Sequence, residues 1–113
     1  MQKQRGLEIE VYGGGRLEKA NSSFLDVDEA DSLSKALDYM INLLNKFKDE
    51  NREYTEVIFA TKDEFKVGFY QKGSSFTVFA SSGYNREATC FLPTKSLADL
   101  KNVIDKGLAL AKK

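Results

Sequence analysis

The densest group of potential metal ligands in this sequence is a run of four carboxylates within six residues: Asp26, Asp28, Glu29 and Asp31. Carboxylate oxygens are the ligands that calcium prefers, but the run lacks the spacing and the glycine of an EF-hand loop. An amphipathic segment follows it, and acidic side chains at a helix N-terminus accept hydrogen bonds from free backbone N–H groups and interact favourably with the helix dipole. The run therefore predicts the start of a helix rather than a metal site.

Other catalytic groups are scarce. The chain has no histidine, which is the commonest general base and metal ligand. Its single cysteine, Cys90, has no histidine to activate it and alternates with apolar residues, so we expect a small buried hydrophobe. Carboxylate pairs stay open as acid and base, but the candidates lie at predicted strand ends and turns, where charge is expected anyway: Glu56, Asp63, Glu64 and Glu87. We predict that the protein is not an enzyme and uses no cofactor or metal.

Three consecutive glycines at residues 13–15 raise the question of a phosphate-binding loop. Such a loop joins a strand to a helix and usually ends in Lys followed by Ser or Thr. Here an alternating strand pattern at residues 7–12 comes before the glycines, and a second strand-like segment at residues 16–20 follows them. Because glycine reaches positive φ without steric cost, the glycines predict the turn of a β-hairpin.

Length and composition indicate one domain. A chain of 113 residues, 42% of them hydrophobic, can bury a real core, so residues 1–113 are predicted to form a single domain with residues 1–6 as a flexible polar tail. Charge is balanced at 17 basic and 17 acidic residues. There is no apolar run long enough to span a membrane, and a lone cysteine is typical of a reducing compartment. We therefore expect a cytoplasmic protein that does not enter membranes.

Periodicity predicts the elements that position these residues. A long amphipathic helix is expected over residues 32–49, and a second one begins near Ser96, which with Asp99 resembles a capping box. Asn21 to Ser23 are expected to turn before a short strand at residues 24–27. Strands are predicted at residues 54–61, 65–71, 75–81 and 87–92, and their short connections favour an antiparallel meander. The prediction is an α+β fold in which the hairpin and the meander form an antiparallel sheet of about six strands, with both helices packed on one face.

Alternation sorts the meander residues into two faces. The set we call the first face is apolar and suits a core: Phe65, Val67, Phe69, Phe76, Val78, Ala80, Ala88, Cys90 and Leu92. The set we call the second face mixes aromatic, hydroxyl and basic side chains: Lys66, Gly68, Tyr70, Thr77, Phe79, Ser81, Thr89 and Phe91. Thr55, Val57, Phe59 and Thr61 join the second face if the first meander strand keeps the same register.

The aromatic residues of the second face are too apolar to be left in water without a reason. A strongly curled sheet, the N-terminal hairpin, a second copy of the chain or a ligand could cover them. We expect a non-enzymatic binding or assembly module that works through Tyr70, Phe79 and Phe91, with self-association into a homodimer as the leading use of this face.

Single-stranded nucleic acid is the runner-up partner. Bases stack on exposed aromatic rings, and phosphates need nearby basic side chains. The candidates for these phosphate contacts are Lys62, Lys66, Lys72 and Arg86, although lysines at turns and sheet edges also serve simply to prevent strand-to-strand aggregation. A third alternative is a carrier of small apolar ligands, held between the sheet and a helix.

A short segment supports the nucleic-acid alternative. Residues 90–100, CFLPTKSLADL, join the last strand to the last helix through Pro93. Four strands that lead into a helix in this way resemble the end of transcriptional-coactivator-like and Whirly-like single-strand-binding domains. The resemblance covers at most residues 54–113, and it implies that the sheet binds single-stranded nucleic acid.

Overall fold

The computed structural model describes residues 5–13, 19–83 and 88–112. Its eight elements are β1 Gly6–Gly13, β2 Lys19–Asp26, α1 Val27–Phe47, β3 Arg52–Ala60, β4 Lys66–Gly73, β5 Ser75–Ser82, β6 Ala88–Leu92 and α2 Ser96–Ala111. All strand pairs are antiparallel. The predicted α+β fold with six strands and two helices is confirmed.

The six strands form two sheets rather than the single sheet that we expected. β1 and β2 make a two-stranded sheet, and the meander makes a four-stranded sheet in the order β3-β4-β5-β6. Residues of β1 lie against β6 without joining its hydrogen-bond ladder. The meander itself is confirmed, because turns as short as the one between β4 and β5 leave room only for antiparallel neighbours.

The N-terminal hairpin differs from the prediction in its second strand. β2 runs without interruption through Asn21, Ser22 and Ser23, which lie opposite Val11, Glu10 and Ile9 of β1. The expected turn at residues 21–23 is therefore wrong. Of the short strand expected at residues 24–27, residues 24–26 are the end of β2 and Val27 begins α1. Gly13 ends β1, the rest of the expected glycine turn lies outside the described residues, and Gly6, expected in the tail, begins β1.

Distant partners explain why these polar residues extend a strand instead of turning. The Ser23 hydroxyl donates a hydrogen bond to the main-chain carbonyl of Asp63 at 2.9 Å. The Ser82 hydroxyl donates to Asn21 Oδ1 at 2.8 Å. Serine and asparagine favour turns when their side chains bond the local backbone, and here the side chains are used to tie the hairpin to the other sheet.

Helix α1 begins five residues before the predicted start. Asp26 is its N-cap, and the carboxylate accepts a hydrogen bond from the Glu29 N–H at 2.8 Å. Asp28 and Glu29 lie in the first turn, so the acidic run caps the helix as predicted. Helix α2 has no such cap: Ser96 is already its first residue and Lys95 makes no side-chain cap. The expected capping box of Ser96 and Asp99 is wrong.

One hydrophobic cluster joins both helices to the first face of the four-stranded sheet. Its fully buried members include Leu33, Leu37 and Met40 of α1, Leu97 and Ile104 of α2, and Val67, Phe69 and Val78 of the sheet. The molecule is only 19 Å across its shortest dimension, which fits two packed layers of secondary structure. No helix within the described ranges is both long and apolar enough to cross a membrane.

A polar contact between the helices accompanies this cluster. The Ser34 hydroxyl of α1 donates a hydrogen bond to the carboxylate of Asp105 in α2, and Lys101 Nζ lies 2.7 Å from that carboxylate. The hydrogen bond from Lys101, followed by the one from Ser34, holds the pKa of Asp105 below its usual value. The ionised carboxylate is therefore the form that the folded state favours.

Candidate interaction surface

Strand register places the residues of the second face in rows across the sheet. Ile58 lies opposite Gly68, Gly68 opposite Phe79, and Phe79 opposite Phe91, so one row crosses all four strands. Directly opposite residues of an antiparallel pair share a face, so this row is apolar from one edge of the sheet to the other. Glycine is required at position 68, since a Cβ there would lie 2.2 Å from the Val57 carbonyl oxygen.

The register of β3 overturns one expectation. Val57 lies opposite Phe69 and Phe59 lies opposite Val67, so the odd-numbered residues of β3 belong to the first face. Alternation could not reveal this, because both sets of β3 residues contain apolar side chains and the length of the β3–β4 turn decides which set faces the core. The second face instead receives the even-numbered residues Tyr54, Glu56, Ile58 and Ala60.

Tyr54 and Ile58 are functional candidates that the sequence analysis missed. The Tyr54 ring stacks on Tyr70 with the ring centroids 5.9 Å apart and the planes 27° apart. Its hydroxyl donates a hydrogen bond to the carboxylate of Glu56. Tyr54 is nevertheless 58% exposed and Ile58 is 38% exposed. Only the number of residues in the turn after β3 carries a signal for their orientation.

Phe79 and Phe91 lie on the second face as predicted, but they differ in exposure. Phe79 is only 2% exposed, whereas Phe91 is 68% exposed. Phe79 belongs to β5, which has neighbours on both sides, and Phe91 belongs to the edge strand β6. The expectation that Phe79 presents its ring to a partner is therefore wrong. Its burial leaves Phe91, Tyr54, Tyr70 and Ile58 as the apolar contact groups.

The three predicted basic residues that the structure describes do not form one patch. Lys62 lies beside helix α1: its main-chain N–H donates to the Glu29 carboxylate at 2.9 Å, and its Nζ is 4.0 Å from Asp26. Lys66 is on the second face with its Nζ 3.8 Å from the carboxylate of Glu64. Lys72 is exposed near the end of β4. Arg86 lies outside the described residues.

The second face therefore combines an apolar row with charges of both signs. Glu56 lies opposite Tyr70, and Lys66 and Lys72 follow the same side of β4. A surface with carboxylate and ammonium groups at different positions can be complementary to itself when a second copy is turned around a two-fold axis. It offers little net positive charge to a polyanion.

Two concave features lie away from the second face. A cleft of about 340 Å³ lies between β1, the first face of the sheet and α2, with mainly apolar walls that include Ile9, Leu92 and Leu100. Cys90 lines this cleft half-buried, and burial raises the pKa of its thiol, which favours the neutral form. A second cleft of about 280 Å³ lies between the end of α1 and the start of α2.

The carboxylates do not assemble into a metal site in the described part of the chain, where no group of three or more Asp, Glu or Cys side chains is placed to hold an ion. No family model matches this chain, and neither a curated protein nor a solved structure matches it. The resemblance to single-strand-binding domains therefore stays a prediction, and the geometry of the second face carries the functional inference.

Proposed function

We propose that this protein is a non-enzymatic assembly module that forms homodimers through the second face of its four-stranded sheet. The observation that carries the proposal is the apolar row from Ile58 to Phe91, of which Phe79 is buried and the two ends are exposed. Large apolar side chains that share one exposed surface are typical of an interface. The lone cysteine supports a reducing compartment, and we place this activity in the cytoplasm.

The partner that suits this face best is a second copy of the chain. Two copies packed face to face around a two-fold axis bring each exposed phenyl and tyrosine ring onto apolar surface, and burial of one such side chain contributes about 1.5–3 kcal/mol. Glu56 of one copy can then approach Lys66 or Lys72 of the other. Such ion pairs add specificity more than affinity.

Size-exclusion chromatography with light scattering tests this proposal with a matched pair of variants. Phe91→Ser removes the most exposed aromatic ring of the second face, and Leu110→Ser removes a side chain of α2 with the same 68% exposure. A symmetric dimer contains Phe91 twice, so we expect Phe91→Ser to weaken dimerisation by at least about a hundredfold. Leu110→Ser should dimerise like the unmodified chain. Equal behaviour of both variants would refute an interface on the second face.

One observation supports single-stranded nucleic acid as a partner: the exposed ring of Tyr54 stacks on the half-buried ring of Tyr70. Bases could stack on this pair, but Glu56 lies beside it and repels phosphates. Fluorescence anisotropy of a labelled oligonucleotide at low and moderate salt separates the two functions. Tight binding that weakens with salt would favour nucleic acid, and its absence at low salt would remove that alternative.

The apolar cleft beside Cys90 supports the third alternative, a carrier of small apolar ligands. Its volume of about 340 Å³ is at the lower end of the range that ligand pockets occupy. An environment-sensitive apolar dye provides the test. Enhanced dye fluorescence that Leu100→Trp abolishes would place a ligand in the cleft, whereas enhancement that only Phe91→Ser abolishes would place the dye on the second face.

A further inference from the structure

The outer side of β3 is an unprotected sheet edge. β3 pairs with β4 alone, and within the part of the chain that the structure describes no strand pairs with its other side. Edge strands present a row of backbone N–H and C=O groups that can pair with another strand. β3 includes no proline, no glycine and no lysine, and its register irregularity lies at its start, between Arg52 and Thr55. Its charged residues also come before Val57, so the apolar residues 57–60 carry none of the usual devices that prevent such pairing.

Apolar side chains on both faces of β3 stay incompletely covered. Val57 and Phe59 face the core but remain partly exposed, whereas their partners on β4, Phe69 and Val67, are 0% exposed. Ile58 is 38% exposed on the opposite side of the same strand. The hydrophobic core is therefore incompletely covered at this edge. A further strand beside β3 would bury more of Val57, Ile58 and Phe59.

The other edge of the sheet is protected. β6 has five residues and is followed by Pro93, which cannot donate to a ladder. Residues of β1 also lie against β6. Pairing of β3 with β6 of another copy would moreover join unlike edges and generate an open chain of subunits. Pairing of β3 with β3 of a second copy instead gives a closed, symmetric dimer.

We infer that β3 pairs antiparallel with β3 of a second copy, around a two-fold axis that places Val57 opposite Val57. In this register, residues 54–60 of one copy pair with residues 54–60 of the other. Glu56 then lies opposite Ile58, and Tyr54 lies opposite Ala60. An axis at Glu56 would instead oppose two carboxylates, which is destabilising in a strand pair. The resulting dimer has one continuous eight-stranded sheet, and the second faces of the two copies lie on the same side of it.

This edge contact has its own evidence and does not depend on the second face. If both interfaces form, their two-fold axes can meet at right angles, because one axis is perpendicular to the sheet and the other lies in its plane. The assembly is then a closed tetramer of two eight-stranded sheets packed face to face. Phe91 lies three strands away from β3, about 14 Å at the usual strand spacing, so the two interfaces can be broken separately.

Single-cysteine variants and a short bismaleimide test the edge contact in the full chain, with Cys90→Ser as the background. Val57→Cys places two thiols directly opposite each other across the axis, with Cβ atoms about 5 Å apart. Thr55→Cys is the matched control on the same strand and the same face, because in this register its two copies lie about 13 Å apart along the strands. We expect Val57→Cys to cross-link at least about tenfold faster than Thr55→Cys, since pairing holds its thiols at a high effective concentration.

The same measurement in the Phe91→Ser background keeps this inference separate from the proposed function. Fast cross-linking of Val57→Cys that survives Phe91→Ser supports an edge contact that stands alone. Equally slow cross-linking of both cysteine variants would overturn the edge contact, whether or not Phe91→Ser changes the assembly. Faster cross-linking of Thr55→Cys would overturn the Val57 axis in favour of a shifted register.

Discussion

The two faces of the four-stranded sheet carry similar numbers of aromatic side chains but differ in how those side chains are covered. On the first face, Val67 and Phe69 are fully buried in the cluster that includes both helices. On the second face, burial depends on position within the sheet: Phe79 on the inner strand β5 is covered, whereas Phe91 on the edge strand β6 is not. An aromatic residue on an outward face can therefore be structural, and the exposed residues at the edges of the second face form the contact surface that we propose.

The largest effect is expected on the first face. Phe69→Ala removes a fully buried ring that contacts Phe76 edge-on at 6.1 Å between centroids. Loss of such a ring typically costs about 3–5 kcal/mol, a large part of the stability of a small domain. Urea denaturation followed by circular dichroism measures this loss. A cost below about 1 kcal/mol would show that the first face is not the core.

A smaller loss is expected for Phe79→Ala on the second face. The ring is buried but does not belong to the hydrophobic cluster that joins the helices to the first face, so the cost should be about 2–3 kcal/mol, at the lower end for a buried aromatic residue. The same urea experiment gives the value. If Phe79→Ala leaves stability unchanged, its ring is exposed in solution and the contrast between inner and edge strands is wrong.

Phe91→Ser should leave the stability of the monomer almost unchanged. The side chain is 68% exposed, and surface substitutions of this kind usually change the free energy of unfolding by less than about 0.5 kcal/mol. Thermal unfolding at a low protein concentration, where association is weak, is the appropriate measurement. A strongly destabilised monomer would mean that Phe91 supports the fold rather than the interface.

The smallest expected effect concerns pH and the contact between the helices. Because the pKa of folded Asp105 lies below its unfolded value, the carboxylate stabilises the protein above that unfolded value, and this contribution is lost as pH falls through the lowered pKa. When pH falls from neutral to about pH 3, the stability of the Asp105→Asn variant should therefore drop by less than the stability of the unmodified chain. Melting temperatures at both pH values check this, with Asp49→Asn in the exposed turn after α1 as the control. Parallel losses in Asp105→Asn and the unmodified chain would contradict it.

Much of the fold could be predicted from the sequence, because local signals agree with tertiary structure there. The acidic run with Asp26 and Glu29 indicates the capped N-terminus of a helix, although periodicity placed the start of α1 five residues too late, and the short turns of the meander determine its strand order. Alternation assigned β4, β5 and β6 correctly, since their two faces differ in composition. It failed for β3, where Val57 and Ile58 are equally apolar and the turn length decides the orientation.

Other features depend on contacts between distant residues and left no local signal. Serine at position 23 is typical of a turn in the sequence, but in the structure its hydroxyl donates a hydrogen bond to the carbonyl of Asp63, 40 positions along the chain. The separation of the hairpin from the meander depends on which edges form hydrogen bonds, which periodicity does not encode. Phe79 lies on the inner strand β5 and is buried, so Tyr70 and Phe91 are the predicted aromatic contact residues that remain on the second face, where Tyr54 and Ile58 join them.

Sedimentation equilibrium of the unmodified chain across a wide concentration range is the decisive test of self-association through the second face. If the second face is a self-association surface, the measured mass should rise from that of the monomer to that of a dimer, or of a tetramer if the β3 edge also pairs. Phe91→Ser should shift this rise to higher concentration. A monomer mass at every concentration would contradict self-association and would require another occupant for the exposed aromatic residues.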